Sequence, residues 1–421
     1  MNSLLRRGLT TYLSCLSVIL LAIIQFSLLA DITTKKDELF QADQLIDKPI
    51  HNSNVTKTSA PFSFSACLII KDDNIILPEW LAYHYTVLPL RRLIVGVDTL
   101  SHTDPTPILN HYKSIGMDIS IWKNDSFWKD GRAKWAKKDF KITNNTTYDE
   151  LRERKRYRQN IFYEKCFTQL RKENRTWTMM IDADEYLAFN YYEDSENVAS
   201  PEYNLSNTRS QLDESSDATM ADVVSHWDID PALRCVTFAR YVFVSTEEGD
   251  NELSQQSRVH HGYNETLFHT LRYRKRVPLD APQPGKSIID SSRYDGSPVD
   301  NPHRIRRLCT GTNVWANNKV MPFRVHHYVG SWEAFRSPGF DPRGRSYFDK
   351  RNNVQKTVED NTMSRWLNKF TTLVGSRERV IELTQKLRLD AELEMDKKIL
   401  EQYAQQQYDW EKLNVKTKRW E

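Results

Sequence analysis

Trp177–Leu187 reads WTMMIDADEYL, and the fold turns on it. WTMMI (177–181) has the length and apolar content of a short strand, and it ends in carboxylates, Asp182 and Asp184 around Ala183. Carboxylates are costly to bury, so they must project where the strand ends. In open α/β folds that place is the carboxyl edge of the sheet, where ligands bind. Side chains alternating about one small residue can converge on a single hard cation. Such oxygen ligands suit Mn²⁺ or Mg²⁺, which in turn bind a diphosphate. An acidic turn after a strand is common on its own; here its position and the compartment argued below give it weight.

Outward from this stretch, FSFSACLII (62–70), LIVGV (93–97) and MDISIW (117–122) are further short apolar or alternating runs that read as strands. Helical patterns lie between them. One opens at Pro78, with Leu81, His84, Tyr85 and Leu88 on one face; a second covers Pro107–Ile115; a third covers about Tyr148–Arg171. Strand–helix alternation at these lengths predicts βαβ units and a mixed, mostly parallel sheet in one α/β domain, 62–350. Later strands are expected at CVTFARYVFV (235–244) and VMPFRV (320–325), and a surface insertion at 191–220, rich in Ser, Asn, Asp and Glu. Residues 351–421 read as a charged C-terminal helical region, a solvated packing helix.

The amino terminus points to a compartment. Thr10–Ala30 carries no charge, is long enough to span a bilayer, and is preceded by Arg6 and Arg7. That predicts a cytosolic tail (1–9), a signal anchor (10–30), a polar stem (31–61) and a luminal remainder, with a cleaved signal peptide as the rival reading. Sequons at Asn54, Asn124, Asn144, Asn145, Asn174, Asn204 and Asn264 agree with a luminal address. Cys67, Cys166, Cys235 and Cys309 would be luminal; their pairing is open, and free buried thiols are as compatible with the sequence as bridges. A net charge of +3 over 421 residues is too mild for a dedicated nucleic-acid binder, and 27% charged residues are too ordinary for a disordered chain.

Two more clusters fall at the same expected sheet edge. Asp98, Ser101 and Asp104 follow LIVGV, and Lys71, Asp72 and Asp73 follow the first strand. Asp98 could hydrogen-bond a nucleoside or could simply form an Asx turn. LRERKRYR (151–158) offers cations, Arg158 among them, on what could equally be a solvated helix face.

ACLIIKDDNIILPEWLAYHY (66–85), LIVGVDTLSHTD (93–104), RQNIFYEKCF (158–167) and MMIDADEYL (179–187) resemble glycosyltransferases with the GT-A (Rossmann-like) fold. The likeness is greatest to the family 92 / DUF23-like group and its family 2-like relatives. GKSIID (285–290), NPHRI (301–305) and HHYVGSWE (326–333) resemble that group's C-terminal half. The resemblance implies a Golgi or ER type II membrane hexosyltransferase with a nucleotide-sugar donor such as a UDP-hexose, a glycan or glycoconjugate acceptor, and inversion at the anomeric carbon. It implies Lys71, Asp72 and Asp98 about the nucleoside, and Asp182 and Asp184 on the metal and diphosphate; by charge, Arg158 or its neighbouring cations could help offset the leaving diphosphate. His303 would complete the metal site, with His326 and His327 as rivals. Inversion needs a carboxylate base on the acceptor hydroxyl, and the candidates are Glu247, Glu248 and Glu333. The competing readings are an inactive glycan-binding domain of the same fold and a metal-dependent luminal hydrolase.

Overall fold

In the computed structural model the described residues are 63–123, 148–189, 234–245, 259–260, 263–278, 285–309, 323–330 and, from 348 to 398, all but 351, 353, 355, 364 and 365. They belong to one compact unit, Ala60–Glu421. The expected tail, anchor, stem and 191–220 insertion lie outside the described residues. Among those described, no helix is long and apolar enough to cross a membrane.

The chain runs β1 (Phe64–Ile70), α1 (Leu77–Val87), β2 (Arg92–Val97), α2 (Thr106–Ser114), β3 (Asp118–Trp122), α3 (Tyr148–Lys172), β4 (Trp177–Met180) and β5 (Glu185–Phe189). It continues through β6 (Cys235–Phe238), β7 (Arg240–Phe243), β8 (Val259–His260), β9 (Tyr263–Asn264), α4 (His269–Arg272), β10 (Lys275–Arg276) and β11 (Lys286–Asp290). After β12 (Phe323–Tyr328) and β13 (Val358–Glu359) come α5 (Trp366–Val374) and α6 (Arg377–Ile381). The fold class is α/β with mixed sheets. One sheet has the order β3-β2-β1-β4-β11-β6, a second β13-β10-β7-β12-β5, and β8 and β9 pair as a two-stranded sheet. Mostly parallel describes the first four strands alone: β3, β2, β1 and β4 run parallel, but β11 and β6 join antiparallel. In the second sheet only β7 and β12 pair in parallel.

The run expected as one strand at 235–244 breaks at Ala239, whose carbonyl accepts from Val325 N. β6 thereby stays in the first sheet while β7 enters the second. β1 and β2 are buried on both faces, which is why they read as continuous apolar runs. Ala66, Leu68, Leu93 and Val95 face one core cluster with Trp80, Leu81 and Tyr112, while Cys67 and Ile94 face another with Phe162 and Phe167 of α3. Gly96 lets that helix approach: a Cβ there would lie 2.7 Å from the Phe162 ring. The cysteine question is resolved as two bridges, Cys67–Cys166 joining β1 to α3 and Cys235–Cys309 joining β6 to the segment after His303.

The C-terminal helices are more than a solvated appendage. Trp366, Leu367, Phe370, Val380, Leu383 and Leu387 are buried in the same core as α1. Tyr112 of α2 donates its hydroxyl proton to a backbone carbonyl, with Pro78 O at 2.7 Å and Leu383 O at 3.0 Å.

Candidate functional site

The acidic turn is the passage between the sheets: β4 ends at Met180 in the first, and β5 begins at Glu185 in the second. Backbone groups close it, with Glu185 N donating to Asp182 O at 3.1 Å and Tyr328 N to Asp184 O at 2.9 Å. β5 is an edge strand, and α1 covers its open side. Trp80 Nε1 donates to Glu185 O at 3.0 Å and Tyr83 Oη to Leu187 O at 3.1 Å. His84 donates from Nδ1 to Trp80 O at 2.8 Å, which leaves Nε2 to accept from Leu187 N at 3.4 Å. Burial pushes His84 down to about 3, so the neutral ring is the form that fits this role. Buried edge groups need such partners.

The three carboxylates of the turn are held differently. Asp182 accepts from Gln159 Nε2 at 2.7 Å through one oxygen, and its other lies 2.7 Å from Lys286 Nζ. Glu185 is wholly enclosed between Arg240, at 3.0 Å, and Lys286, at 3.1 Å. Burial alone would raise the Glu185 carboxyl, but Lys286 and then Arg240 outweigh it and hold it at about 2. Burial likewise works against the Lys286 ammonium, yet Asp182 and Glu185 raise its pKa. Asp184 makes its contact with His327, whose Nε2 lies 3.0 Å from Oδ2. Its carboxyl stays below the usual range because the adjacent imidazole overcomes the effect of burial.

Asp184, Glu185 and His327 each offer one ligand atom, and these atoms lie within 4.8 Å of one another. Oxygen and imidazole donors in this number suit a small divalent cation that keeps open positions. His327 strengthens the fit, because its ring is buried and presents Nε2 to Asp184. Glu185 is the least available of the three, since two cations already face it.

The structure sorts the other expected residues. Asp73 lies close enough to Asp184 to feel its charge; burial first, then Asp184, raise its carboxyl to about 7. Lys71, its neighbour, is half-buried at the end of β1 and donates its backbone N–H to Asp73 Oδ2 at 2.8 Å. Asp72, expected to border a nucleoside, instead anchors the loop after β2. Its side chain is 0% exposed and accepts from His102 N, Thr103 N and Thr103 Oγ1 at 2.6–3.1 Å. Asp98 and Arg158 meet each other: Arg158 Nε lies 3.1 Å from Asp98 Oδ2, and both side chains are buried. The expected nucleoside carboxylate and diphosphate cation therefore form one ion pair linking the β2 edge to α3. Glu247, Glu248 and Glu333 lie outside the described residues.

Of the histidines, His327 reaches the acidic turn. His303 accompanies Lys286 at the start of β11, its Nδ1 3.1 Å from Gly285 O. Burial first, then the charge of Lys286, push it down to about 4. His326 points the other way along the strand and is fully buried beside Arg324, whose Nε donates to its Nε2 at 2.7 Å. Strand alternation accounts for the opposite directions of His326 and His327. Gln159, Glu185, Arg240 and Lys286 were not among the expected site residues. Glu185 carried the clearest signal in the sequence, as the third carboxylate of IDADEYL; a lysine opening an apolar strand, GKSIID, was a weaker one. Comparison with family models, curated proteins and solved structures finds no match to this chain.

Proposed function

We propose that the chain is a GT-A-type glycosyltransferase that moves a hexose from a nucleotide-sugar, such as a UDP-hexose, to a glycan or glycoconjugate hydroxyl with the help of Mn²⁺ or Mg²⁺. The observation that carries this reading is Asp182-x-Asp184 directly after β4, at the carboxyl edge of four parallel strands, with His327 delivered beside Asp184 by the second sheet. Ligands of open α/β sheets bind at that edge. Bound there, a divalent cation offsets the charge that develops on a diphosphate leaving group. Asp184 and His327 are the residues that would hold it; Gln159 and Lys286 fix the direction of Asp182, and Arg158 with Asp98 shapes the adjoining edge. The base for the acceptor hydroxyl stays with Glu247, Glu248 or Glu333.

Two internal disulfides support an oxidising compartment. With the 10–30 run, they support a single-pass type II protein of the Golgi or ER membrane with its catalytic unit in the lumen. One observation favours a binding-only variant: Asp182 and Glu185 already have cationic partners within the fold. The test is UDP-hexose hydrolysis and transfer by purified full-length protein, with Mn²⁺ and with chelator. Turnover in Mn²⁺ that chelator abolishes supports transfer. Nucleotide-sugar binding without turnover supports the binding-only reading. Cleavage of a glycan or phosphoester with no nucleotide-sugar bound replaces both with a hydrolase.

A further inference from the structure

Lys286 does more at the acidic turn than fix the direction of Asp182. It opens β11, which runs antiparallel to β4, so register brings its side chain to the edge where β4 ends. The side chain is 2% exposed and bonds two carboxylates at once, Asp182 at 2.7 Å and Glu185 at 3.1 Å. Gly285 sets its approach, because a Cβ there would lie 2.0 Å from Phe238 O on the neighbouring strand β6. A buried ammonium needs compensation of this kind, and two carboxylates side by side need a cation between them. Lys286 and the turn therefore hold each other in place.

We infer that Lys286 is a built-in counter-ion that divides the acidic turn into a neutralised half, Asp182 and Glu185, and a cation-seeking half, Asp184 with His327. This rests on the metal-dependent reading above and sharpens it. The Asp-x-Asp pair does not act as two equivalent ligands: its first carboxylate is claimed by an internal cation, and its second takes the metal. Three carboxylates facing two fixed cations leave one negative charge for an incoming ion. His327 Nε2, 3.0 Å from Asp184 Oδ2, places a second donor on the Asp184 side of the turn. Lys286 is thus a positioning residue that sets cation affinity, acting through Asp182 and Glu185.

The inference makes a prediction whose sign a purely structural lysine would not give. Free Mn²⁺ is measured by electron paramagnetic resonance during titration of the full-length protein in detergent, without nucleotide. Lys286→Gln should bind Mn²⁺ about tenfold more tightly than wild type, the order expected when one unit positive charge is removed a few ångströms from a partly screened cation. Lys286→Arg should match wild type, and Asp184→Asn should lose binding. The double variant Asp182→Asn/Lys286→Gln removes one charge of each sign, so it folds without a bare buried carboxylate and should also match wild type. Were Asp182 a direct ligand, the double variant would bind far more weakly, and the inference would fall. It would fall too if Lys286→Gln, folded by circular dichroism, bound Mn²⁺ no better than wild type. Should wild type bind no Mn²⁺ while Lys286→Gln does, the counter-ion role stands and the metal-dependent reading of the native chain fails.

Discussion

At the scale of single residues, Asp184 and His327 carry the site. Asp184→Asn keeps the shape of the side chain and removes its charge, so it should lower metal-dependent turnover by at least ~3 kcal/mol in barrier terms, about two orders of magnitude in rate. His327→Ala should raise the Mn²⁺ requirement, whereas His303→Ala, whose ring lies against Gly285, should leave the Mn²⁺ titration in place. A shifted titration in His303→Ala and an unchanged one in His327→Ala would reverse that assignment. Asp73 makes a second prediction, through pH. Its carboxyl is raised from 3.8 to about 7 in the fold, so the folded protein binds the proton more tightly than the unfolded chain. Its contribution to stability is complete below about pH 3.8 and is lost as pH rises towards 7. Asp73→Asn, which can still accept from Lys71 N, should therefore stabilise the protein above pH 7, by a few kcal/mol and about 4 at most, and leave it unchanged near pH 4. Thermal melts of both proteins across that range check it, and equal melting curves at pH 8 would show that Asp73 ionises at no cost.

Among elements, the decisive one is β11. It reverses the direction of the first sheet beside β4 and brings Lys286 to the acidic turn with a glycine immediately before it. Gly285→Ala places a methyl against the backbone of β6, where no side-chain rotation relieves the contact. The substitution should cost at least about 2 kcal/mol and move Lys286 away from Asp182 and Glu185. Chemical denaturation measures the first effect. A Mn²⁺ titration measures the second, which should shift in the same direction as for Lys286→Gln. Loss of stability with native Mn²⁺ affinity would separate the glycine from the lysine's placement.

At the scale of the whole molecule, the α/β unit is finished by its C-terminal helices. The Trp366 ring packs edge-on to Tyr83 and Phe268, and Phe370 packs edge-on to Tyr85. Tyr83 also holds β5 through Leu187 O, so the helices press on the element that supports the acidic turn. A chain of residues 62–363, without the 10–30 run, should expose this apolar face and accumulate as aggregate. A chain of residues 62–398, past the last buried side chains of this face among the described residues, should stay soluble and keep its Mn²⁺ affinity. Size-exclusion chromatography of both truncations decides it, and a soluble, monodisperse 62–363 chain would make the helices dispensable.

The amino-acid sequence by itself determined the parts that depend on neighbours along the chain. Apolar runs of strand length marked β1, β2, β3 and β4, helical spacing marked α1, α2 and α3, and the carboxylates of IDADEYL marked the edge at which the site forms. These are local signals, since period and polarity dictate which face each residue can bury. Tertiary structure decided which distant groups meet there. Lys286 lies 104 residues from Asp182, and His327 lies 143 residues from Asp184. Their approach follows from two antiparallel pairings, β11 on β4 and β12 on β5. The same long-range pairing placed Asp72 under a loop, joined Asp98 to Arg158 and chose the disulfide partners. A carboxylate reads alike in sequence whether it will face water, an arginine or a metal. Only the fold supplies the partner that distinguishes them, because charges are compensated in space rather than along the chain.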